Sequence, residues 1–175
     1  MNWNIRLFFA INARVGRERW LDALGRAGAE WVVFAMLAWY GVGAAILYLP
    51  DRRALLTALI FLAAAWTVAW FISVLVGLIV REPRPHLPYP ESRLLFQPLM
   101  SWKSFPSDHA LSAWLIFFMA LVFGLPAAWG LLPLALWVSW GRVYAGVHYP
   151  FDVVGGALVA ALAALASYYV VVTVF

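Results

Sequence analysis

The sequence contains no cysteine, and only 11% of its 175 residues are charged. Without cysteine the chain can form no disulfide, no thiolate metal site and no cysteine nucleophile. An average soluble domain has roughly a quarter of its residues charged, so the low charge excludes a soluble domain of any size here. Because 66% of the residues are hydrophobic, most of the chain is expected to lie in a membrane.

Long uncharged stretches divide the chain into five candidate spans, and a span needs roughly 20 residues to cross a bilayer. They cover residues 31–49, 54–80, 110–125 with its flanks, 127–139 running on towards 144, and 153–175. Gly155 and Gly156 in the last stretch provide a small-residue surface on which another helix can pack closely. We therefore expect an all-α fold, a polytopic transmembrane helical bundle with about five spans, in a single domain over residues 1–175.

Residues 1–30 alternate apolar side chains with closely spaced arginines and carboxylates, too densely charged for a membrane span. This pattern favours an N-terminal amphipathic helix at the membrane interface, ahead of a catalytic core over residues 31–175. A cleaved signal peptide is not expected, because the apolar run at residues 7–11 is short and Arg14 follows it closely. The net charge of +4 comes mostly from arginine, which near a membrane attracts anionic headgroups.

Three polar clusters interrupt the apolar stretches, and five spans bring them to one membrane surface. They read Arg-Glu-Pro-Arg-Pro at residues 81–85, Lys-Ser-Phe-Pro-Ser-Asp-His at 103–109, and Arg-Val-Tyr-Ala-Gly-Val-His-Tyr-Pro-Phe-Asp at 142–152. Solvation of loops alone can gather polar residues in this way. Phosphoryl transfer, however, needs cationic groups that bind the phosphate oxygens, oriented N–H donors, a nucleophile and a proton for the leaving oxygen. The guanidinium groups of Arg84 and Arg142 can each bind two phosphate oxygens at once.

Ser107 is expected at the start of the third span, with Pro106 in its first turn. There the N–H groups lack intrahelical partners and can bind an anion. The serine could equally be a simple helix cap. Asp108 beside it would repel a bound phosphate unless its carboxylate turns away.

Two of the three histidines, His109 and His148, border membrane-spanning stretches and share a face with the arginines. Asp152 follows His148 by four residues, and Pro150 indicates a turn after which the next span begins near Asp152. The carboxylate could cap that helix. It could also hold one imidazole nitrogen so that the other points at phosphorus, and the two roles are compatible.

The three clusters, in this order and at these spacings, resemble the type 2 phosphatidic acid phosphatase superfamily. Its signatures read lysine-x6-arginine-proline, proline-serine-glycine-histidine, and serine-arginine-x5-histidine-x3-aspartate. The sequences Glu-Pro-Arg-Pro and Ser-Phe-Pro-Ser-Asp-His are most similar to those of bacterial undecaprenyl-diphosphate phosphatases of the bacitracin-resistance type. The resemblance covers about residues 30–175.

This resemblance implies a lipid phosphatase that works by covalent catalysis without a metal or a cofactor. His148 would attack phosphorus, and Asp152 would orient its imidazole and stabilise the charge it acquires. His109 would protonate the leaving oxygen and then deprotonate the attacking water. The phosphate ligands implied are Arg84, Ser107 and Arg142.

Three positions depart from the signatures. Gly77 stands where lysine is expected, Asp108 replaces the glycine of the second signature, and Gly141 replaces the serine of the third. The missing lysine removes one phosphate contact, which Arg81 or Lys103 could replace. The candidate phosphate-binding residues therefore extend to Arg81, Lys103 and Asp108.

Two other functions fit the same polar face. Metal-assisted hydrolysis would use its carboxylates and histidines, although the arginines there would repel cations. A small lipid carrier or channel calls for ionisable or broken-helix features near the bilayer midplane, and these spans are free of charge. The candidate metal ligands are Glu82, His86, Asp108, His109, His148 and Asp152.

The expected partners are a lipid phosphate or diphosphate and the membrane lipids, with no nucleic acid and no oligomeric state assigned. The favoured substrate is undecaprenyl diphosphate, followed by phosphatidylglycerol phosphate, phosphatidic acid and the phosphates of lipid A. Water or another acceptor would take the phosphate. Counting arginines by the positive-inside rule puts the polar face in the cytoplasm. The resemblance implies the periplasmic or outer face of a bacterial inner membrane, which we favour because phosphate binding explains Arg84 and Arg142.

Overall fold

The computed structural model describes residues 2–98 and 102–174, and its regular structure within these ranges is all helical. The five expected spans correspond to helices α3 to α7, with their ends shifted by a few residues. The elements are α1 (Trp3–Asn12), α2 (Arg19–Arg26), a π-helical turn (Ala27–Trp31), α3 (Val32–Tyr48), α4 (Arg52–Val80), α5 (Asp108–Val122), a 3-10 turn (Ala128–Gly130), α6 (Leu131–Tyr144) and α7 (Pro150–Val174).

Helices α4, with 29 residues, and α7, with 25 residues, are long and apolar enough to cross a membrane. The described residues supply a third span if Arg19–Glu30 and Val32–Tyr48, which meet at a bend of 53°, are counted together. Helices α5 and α6 have 15 and 14 residues, fewer than the roughly 20 that a bilayer core requires. The all-helical membrane bundle is as predicted, whereas helix length alone does not establish five full spans.

Large apolar side chains cover the outside of this bundle. Ile79 is 81% exposed and Ile46 is 69% exposed, on two different helices. Soluble monomers rarely present continuous apolar surface of this kind. The outside of the bundle is therefore suited to lipid chains.

Helix α5 is the centre of the bundle and contacts α3, α4, α6 and α7. It meets α7 at Gly156, where an added Cβ would lie 2.6 Å from the Ser107 carbonyl oxygen and 2.9 Å from the Leu111 nitrogen. Only glycine allows the two helix backbones to approach so closely. The predicted close packing at this glycine is confirmed, and it fixes the start of α5 against the start of α7.

Residues 2–31 form two α-helices and a π-helical turn, so the single interfacial helix that we expected is not what the structure has. The chain reverses at Gly16, whose φ of 77° favours glycine. The Asn12 side chain donates hydrogen bonds to the Tyr144 carbonyl at 3.0 Å and to the Arg93 carbonyl at 2.8 Å. These bonds attach α1 to the end of α6, because a buried side-chain amide requires partners.

The loops that carry the three polar clusters meet at one end of the bundle. The Ser104 amide donates to the Glu82 carbonyl at 2.9 Å, which joins the second cluster to the first. The Ser107 amide donates to the Asp152 carbonyl at 2.9 Å, which joins the second to the third. The clusters thus gather where α4 and α6 end and where α5 and α7 begin.

Candidate active site

His148 lies in the turn between α6 and α7 and is only 3% exposed. Its Nδ1 is 3.3 Å from Asp152 Oδ2, and its Nε2 is 3.2 Å from Arg84 Nη1. A guanidinium can only donate, so Nε2 is the accepting nitrogen and a neutral imidazole carries its proton on Nδ1. The lone pair that could attack phosphorus is therefore on Nε2.

The surroundings of His148 keep its imidazole neutral. Burial lowers its pKa well below the ordinary value, and the positive charges of Arg142 and Arg84 lower it further. His109 and Lys103 also lie close enough for their charges to lower this pKa. At pH 7 the imidazole thus retains the lone pair that a nucleophile needs.

Asp152 both orients His148 and stabilises the start of α7. Its Oδ2 accepts hydrogen bonds from Ser104 Oγ at 2.5 Å and from the Tyr149 amide at 2.7 Å. The helix begins at Pro150, two residues earlier than the sequence predicted, because proline is well suited to the first helical position. Ser104 was not among the predicted site residues; the available signal was its place inside the second cluster.

Arg84 and Arg142 are buried, at 6% and 4% exposure. Arg84 Nη1 donates to the Val147 carbonyl and Arg142 Nη1 to the Ala29 carbonyl, each at 2.9 Å. The ring of Phe96 lies 5.8 Å from the Arg142 guanidinium carbon, a cation–π distance. The Nε atom of each arginine is buried and lacks a hydrogen-bond partner within the described ranges. Each guanidinium is thus anchored through Nη1 and retains its Nε–H as a free donor.

The environment of Arg84 also affects its ionisation. Burial lowers the pKa of this guanidinium, and the negative charges of Asp152 and Asp108 oppose that shift. Asp108 in the second cluster and Asp152 in the third therefore both stabilise the Arg84 cation. His86 lies in the same loop, where burial and the charge of Arg84 lower its pKa.

Ser107 precedes α5 at its N-cap position, as the sequence predicted, with Pro106 two residues before the first helical residue, Asp108, rather than in the first turn. Its side chain makes no capping hydrogen bond. Its Oγ is fully buried and has no partner among the residues described. Together with the first N–H groups of α5, this hydroxyl provides free donors for an anion.

His109 lies in the first turn of α5 and is half-buried. It is close enough to His148 to influence the pKa of that imidazole. The structure thus brings together all the residues predicted from the matched signatures. These are Arg84, Ser107, His109, Arg142, His148 and Asp152.

The three further candidates for phosphate binding, Arg81, Lys103 and Asp108, have hydrogen-bond partners within the protein. Lys103 Nζ donates to Asp108 Oδ1 at 2.7 Å, so these two side chains pair with each other. Arg81 is exposed and its Nε donates to the Leu78 carbonyl at 2.9 Å. Its φ of 51° ends α4 and turns the side chain back onto its own helix.

The candidate metal ligands do not assemble into a metal site. Within residues 2–98 and 102–174, His, Asp and Glu side chains form no group of three or more that could hold a metal ion. Among the buried polar atoms without a partner at this end of the bundle are the Nε atoms of Arg84 and Arg142 and the Ser107 hydroxyl, which can all donate, together with Asp152 Oδ1, which accepts. Such donors suit an anion.

Comparison with known proteins matches residues 58–175 to the PAP2 superfamily. Bacitracin transport permease protein BcrC of Bacillus licheniformis is 30% identical over 130 residues, 74% of this chain and 64% of that protein. Escherichia coli YbjG, provisionally named an undecaprenyl-diphosphatase, is 30% identical over 173 residues, 95% of this chain and 81% of that protein. Undecaprenyl-diphosphatase BcrC of Bacillus subtilis is 35% identical over 89 residues, and the alignment spans 51% of this chain and 45% of that protein.

Two crystal structures resemble the whole fold. Aquifex aeolicus LpxE has a TM-score of 0.73 and 26% identity, over 97% of this chain and 96% of that chain. A transmembrane PAP2-type phosphatidylglycerolphosphate phosphatase of Bacillus subtilis has a TM-score of 0.57 and 18% identity, over 98% of this chain and 96% of that chain. The second likeness concerns the fold alone.

Proposed function

Since the chain belongs to the PAP2 superfamily, we propose that it is a membrane phosphatase that hydrolyses a lipid phosphate or diphosphate through a phosphohistidine on His148. One arrangement carries this proposal. The imidazole has Nδ1 facing Asp152 and Nε2 facing Arg84, a cation that can also bind phosphate. A neutral, oriented imidazole beside free cationic donors is what attack on a phosphate requires.

In the first step the His148 Nε2 lone pair forms a bond to phosphorus and the bond from phosphorus to the lipid oxygen breaks. The negative charge of the bound phosphate favours protonation of His109, and the protonated imidazole gives its proton to the departing oxygen. The phosphorylated imidazole still carries its Nδ1 proton and is therefore positive. Asp152 stabilises that charge through Oδ2.

In the second step a water molecule attacks the phosphohistidine and gives a proton to His109. The nitrogen–phosphorus bond breaks, inorganic phosphate leaves, and His148 returns to its neutral form. The free donors of Arg84, Arg142 and Ser107 bind the phosphoryl oxygens in both steps. These donors stabilise the developing negative charge, so the reaction needs no metal ion.

Undecaprenyl diphosphate is the substrate we favour. The names of the Escherichia coli and Bacillus subtilis relatives support it, at 30% and 35% identity. The leaving group would then be undecaprenyl phosphate. Phosphatidylglycerol phosphate, phosphatidic acid and lipid A phosphates are the other substrates to be compared.

We place the enzyme in a bacterial inner membrane as a bundle of five spans, α3 to α7, with the His148 end facing the periplasm or the outside. Short α5 and α6 fit this arrangement because their ends at Asp108 and Tyr144 adjoin the proposed site. The phosphate role of the buried arginines argues against reading them as cytoplasmic markers.

The proposed function is tested by assaying purified protein in detergent against the lipid phosphates named above and measuring released inorganic phosphate. The expected result is release from undecaprenyl diphosphate at a higher kcat/KM than from the others, and none with His148→Ala. A higher kcat/KM for another lipid would reassign the substrate. No release from any of them would refute a phosphatase.

A lipid carrier or channel is the runner-up, because the Bacillus licheniformis relative is named a transport permease. Carriage leaves the lipid phosphate intact, whereas hydrolysis liberates inorganic phosphate. Reconstituted vesicles that move an intact lipid phosphate across the bilayer, with His148→Ala as active as wild type, would favour the carrier.

A further inference from the structure

Lys103 is the only lysine of the chain, and its ammonium is buried and fully bonded. Nζ donates to Ser73 Oγ at 2.7 Å, to Asp108 Oδ1 at 2.7 Å and to the Pro106 carbonyl at 3.2 Å. An ammonium has three donors, and these bonds use all three. The lysine therefore has no donor left for a substrate in this conformation.

The path of this side chain explains why residue 77 is glycine. An added Cβ at Gly77 would lie 2.6 Å from Lys103 Cδ and 3.5 Å from its Cβ. The lysine stem thus crosses α4 over Gly77, and a side chain at residue 77 would have to displace it. The missing side chain at residue 77 and the lysine at residue 103 are sterically coupled.

Asp108 makes the lysine necessary. Its carboxylate begins α5, next to the free hydroxyl of Ser107. An uncompensated negative charge at this point would repel an anion bound by the helix N-terminus and Ser107. The Lys103 ammonium compensates that charge from 2.7 Å away.

The same ammonium also fixes the turn before α5. Its bond to the Pro106 carbonyl holds the residue that directly precedes Ser107. Ser73, a buried hydroxyl inside α4, holds the ammonium from the other side. Lys103 is therefore bonded both to α4 and to the segment that presents Ser107.

We propose that Lys103 is a positioning residue that cancels the charge of Asp108 and holds the Pro106–Ser107 turn, so that the phosphate site keeps its net positive charge. This inference rests on the proposed function, since it concerns the same site. Lys103 acts through Asp108 and Pro106 without touching the phosphate. Its charge also contributes to the lowered pKa of His148.

The test compares Lys103→Met, Asp108→Asn and the double variant, because methionine keeps an apolar stem and removes the charge. Binding of orthovanadate is measured from its effect on the melting temperature of detergent-purified protein, which requires no turnover. Lys103→Met should weaken binding about tenfold or more, because a nearby carboxylate is left uncompensated. Adding Asp108→Asn should restore binding to within about threefold of wild type, because both charges are then gone.

A direct phosphate contact by Lys103 predicts a different pattern. The double variant would then bind vanadate as weakly as Lys103→Met, and that result would overturn the proposal. The control is Arg53→Gln, which removes an exposed cation at the other end of the bundle and should leave binding unchanged. If wild type hydrolyses no lipid phosphate but vanadate binding follows the expected pattern, the proposed function fails and the role of Lys103 stands.

If Lys103→Met does not fold, exchanging the two positions tests the same idea. Gly77→Lys alone should weaken vanadate binding, because the new side chain collides with Lys103. Adding Lys103→Ala should recover it, because a side chain at residue 77 points toward the helix N-terminus, where Ser73 lies one turn earlier. Equal binding by Gly77→Lys and Gly77→Lys/Lys103→Ala would contradict the proposal.

Discussion

Arg84 Nη1 lies 3.2 Å from His148 Nε2, so the arginine donates to the lone pair that the proposed mechanism uses for attack. The nucleophile is therefore hydrogen-bonded before substrate arrives. A phosphate oxygen is charged and accepts a hydrogen bond more strongly than a neutral imidazole. Substrate is expected to draw the guanidinium onto itself and free Nε2 at the moment when phosphorus is in place.

This relationship predicts how phosphorylation depends on pH. The imidazole is faced by Arg84, Arg142, His109 and Lys103, and by the carboxylate of Asp152. Its neutral form should persist below the ordinary pKa of 6.5, so the acidic limb of the wild-type profile should lie below that pH. Arg84→Gln removes a positive charge, which raises the His148 pKa and should move the limb to higher pH.

The measurement is the pH dependence of the phosphorylation rate with an aryl phosphate, whose good leaving group needs little help from His109. Arg53→Gln serves as the control and should leave the limb where it is in wild type. A wild-type limb at or above pH 6.5, unmoved by Arg84→Gln, would contradict the assignment of His148 as the titrating nucleophile.

Ser104→Ala tests the hydrogen bond that holds Asp152. Loss of one bond to a charged group costs about 1.5–3 kcal/mol, and roughly 1.4 kcal/mol corresponds to tenfold in rate. We expect kcat to fall about tenfold or more with little change in KM, because the carboxylate orients the imidazole without contacting substrate. The matched control is Ser167→Ala, whose hydroxyl donates to the Ala163 carbonyl of its own helix, far along α7 from Asp152. An unchanged kcat in Ser104→Ala would remove the positioning role.

Activity is expected to survive chelators and to be inhibited by vanadate. The reason is that the unpartnered groups of the site include the donors of Arg84, Arg142 and Ser107, which can bind an anion without help from a metal cation. The measurement is phosphate release after EDTA treatment and across a vanadate titration. Loss of activity in EDTA that magnesium or zinc restores would support the metal-assisted alternative.

Membrane orientation can be tested with single cysteines, because the chain has none of its own. Glu91 and Arg53 are both exposed and lie at opposite ends of the bundle, Glu91 in the loop after α4 and Arg53 in the first turn of α4. A membrane-impermeant thiol reagent applied to intact spheroplasts should label Glu91→Cys and spare Arg53→Cys. Labelling of Arg53→Cys alone would put the site in the cytoplasm. The predicted cytoplasmic end of the chain, Phe175, lies outside the described residues.

The sequence predicted the helices and most of the site because both depend on local patterns. Uncharged stretches mark α3 to α7 directly, since apolar length is what a bilayer selects. The spacing from His148 to Asp152 brings these side chains together over four residues. The six signature residues could therefore be predicted to lie at one end of the bundle before their contacts were known.

Contacts between distant segments could not be predicted in this way. Ser73 binds Lys103 across 30 residues, and the Ala29 carbonyl binds Arg142 across 113. Nothing in the local sequence assigns such partners. The glycine at residue 141, where the third signature has serine, also depends on a contact between distant segments. An added Cβ at Gly141 would lie 2.6 Å from the Ala29 nitrogen in the π-helical turn. The serine of the signature has no room there.

The central claim is that His148 forms the covalent bond to phosphate, while His109 acts as acid and base. With a good leaving group, His109→Ala should still be phosphorylated but should lose the label slowly, because the water lacks its base. Asp152→Asn should fold and lose rate, because the charge that steadies the imidazole is gone. These two variants separate the roles of the three residues.

The most direct measurement is the isotopic phosphate retained on denatured protein after brief reaction with a labelled aryl phosphate. Wild type and His109→Ala should carry an acid-labile label, with the higher amount on His109→Ala, and His148→Ala should carry none. All variants are compared at matched amounts of folded, detergent-purified protein. Label on His148→Ala, or identical behaviour of His109→Ala and His148→Ala with every leaving group, would contradict the mechanism.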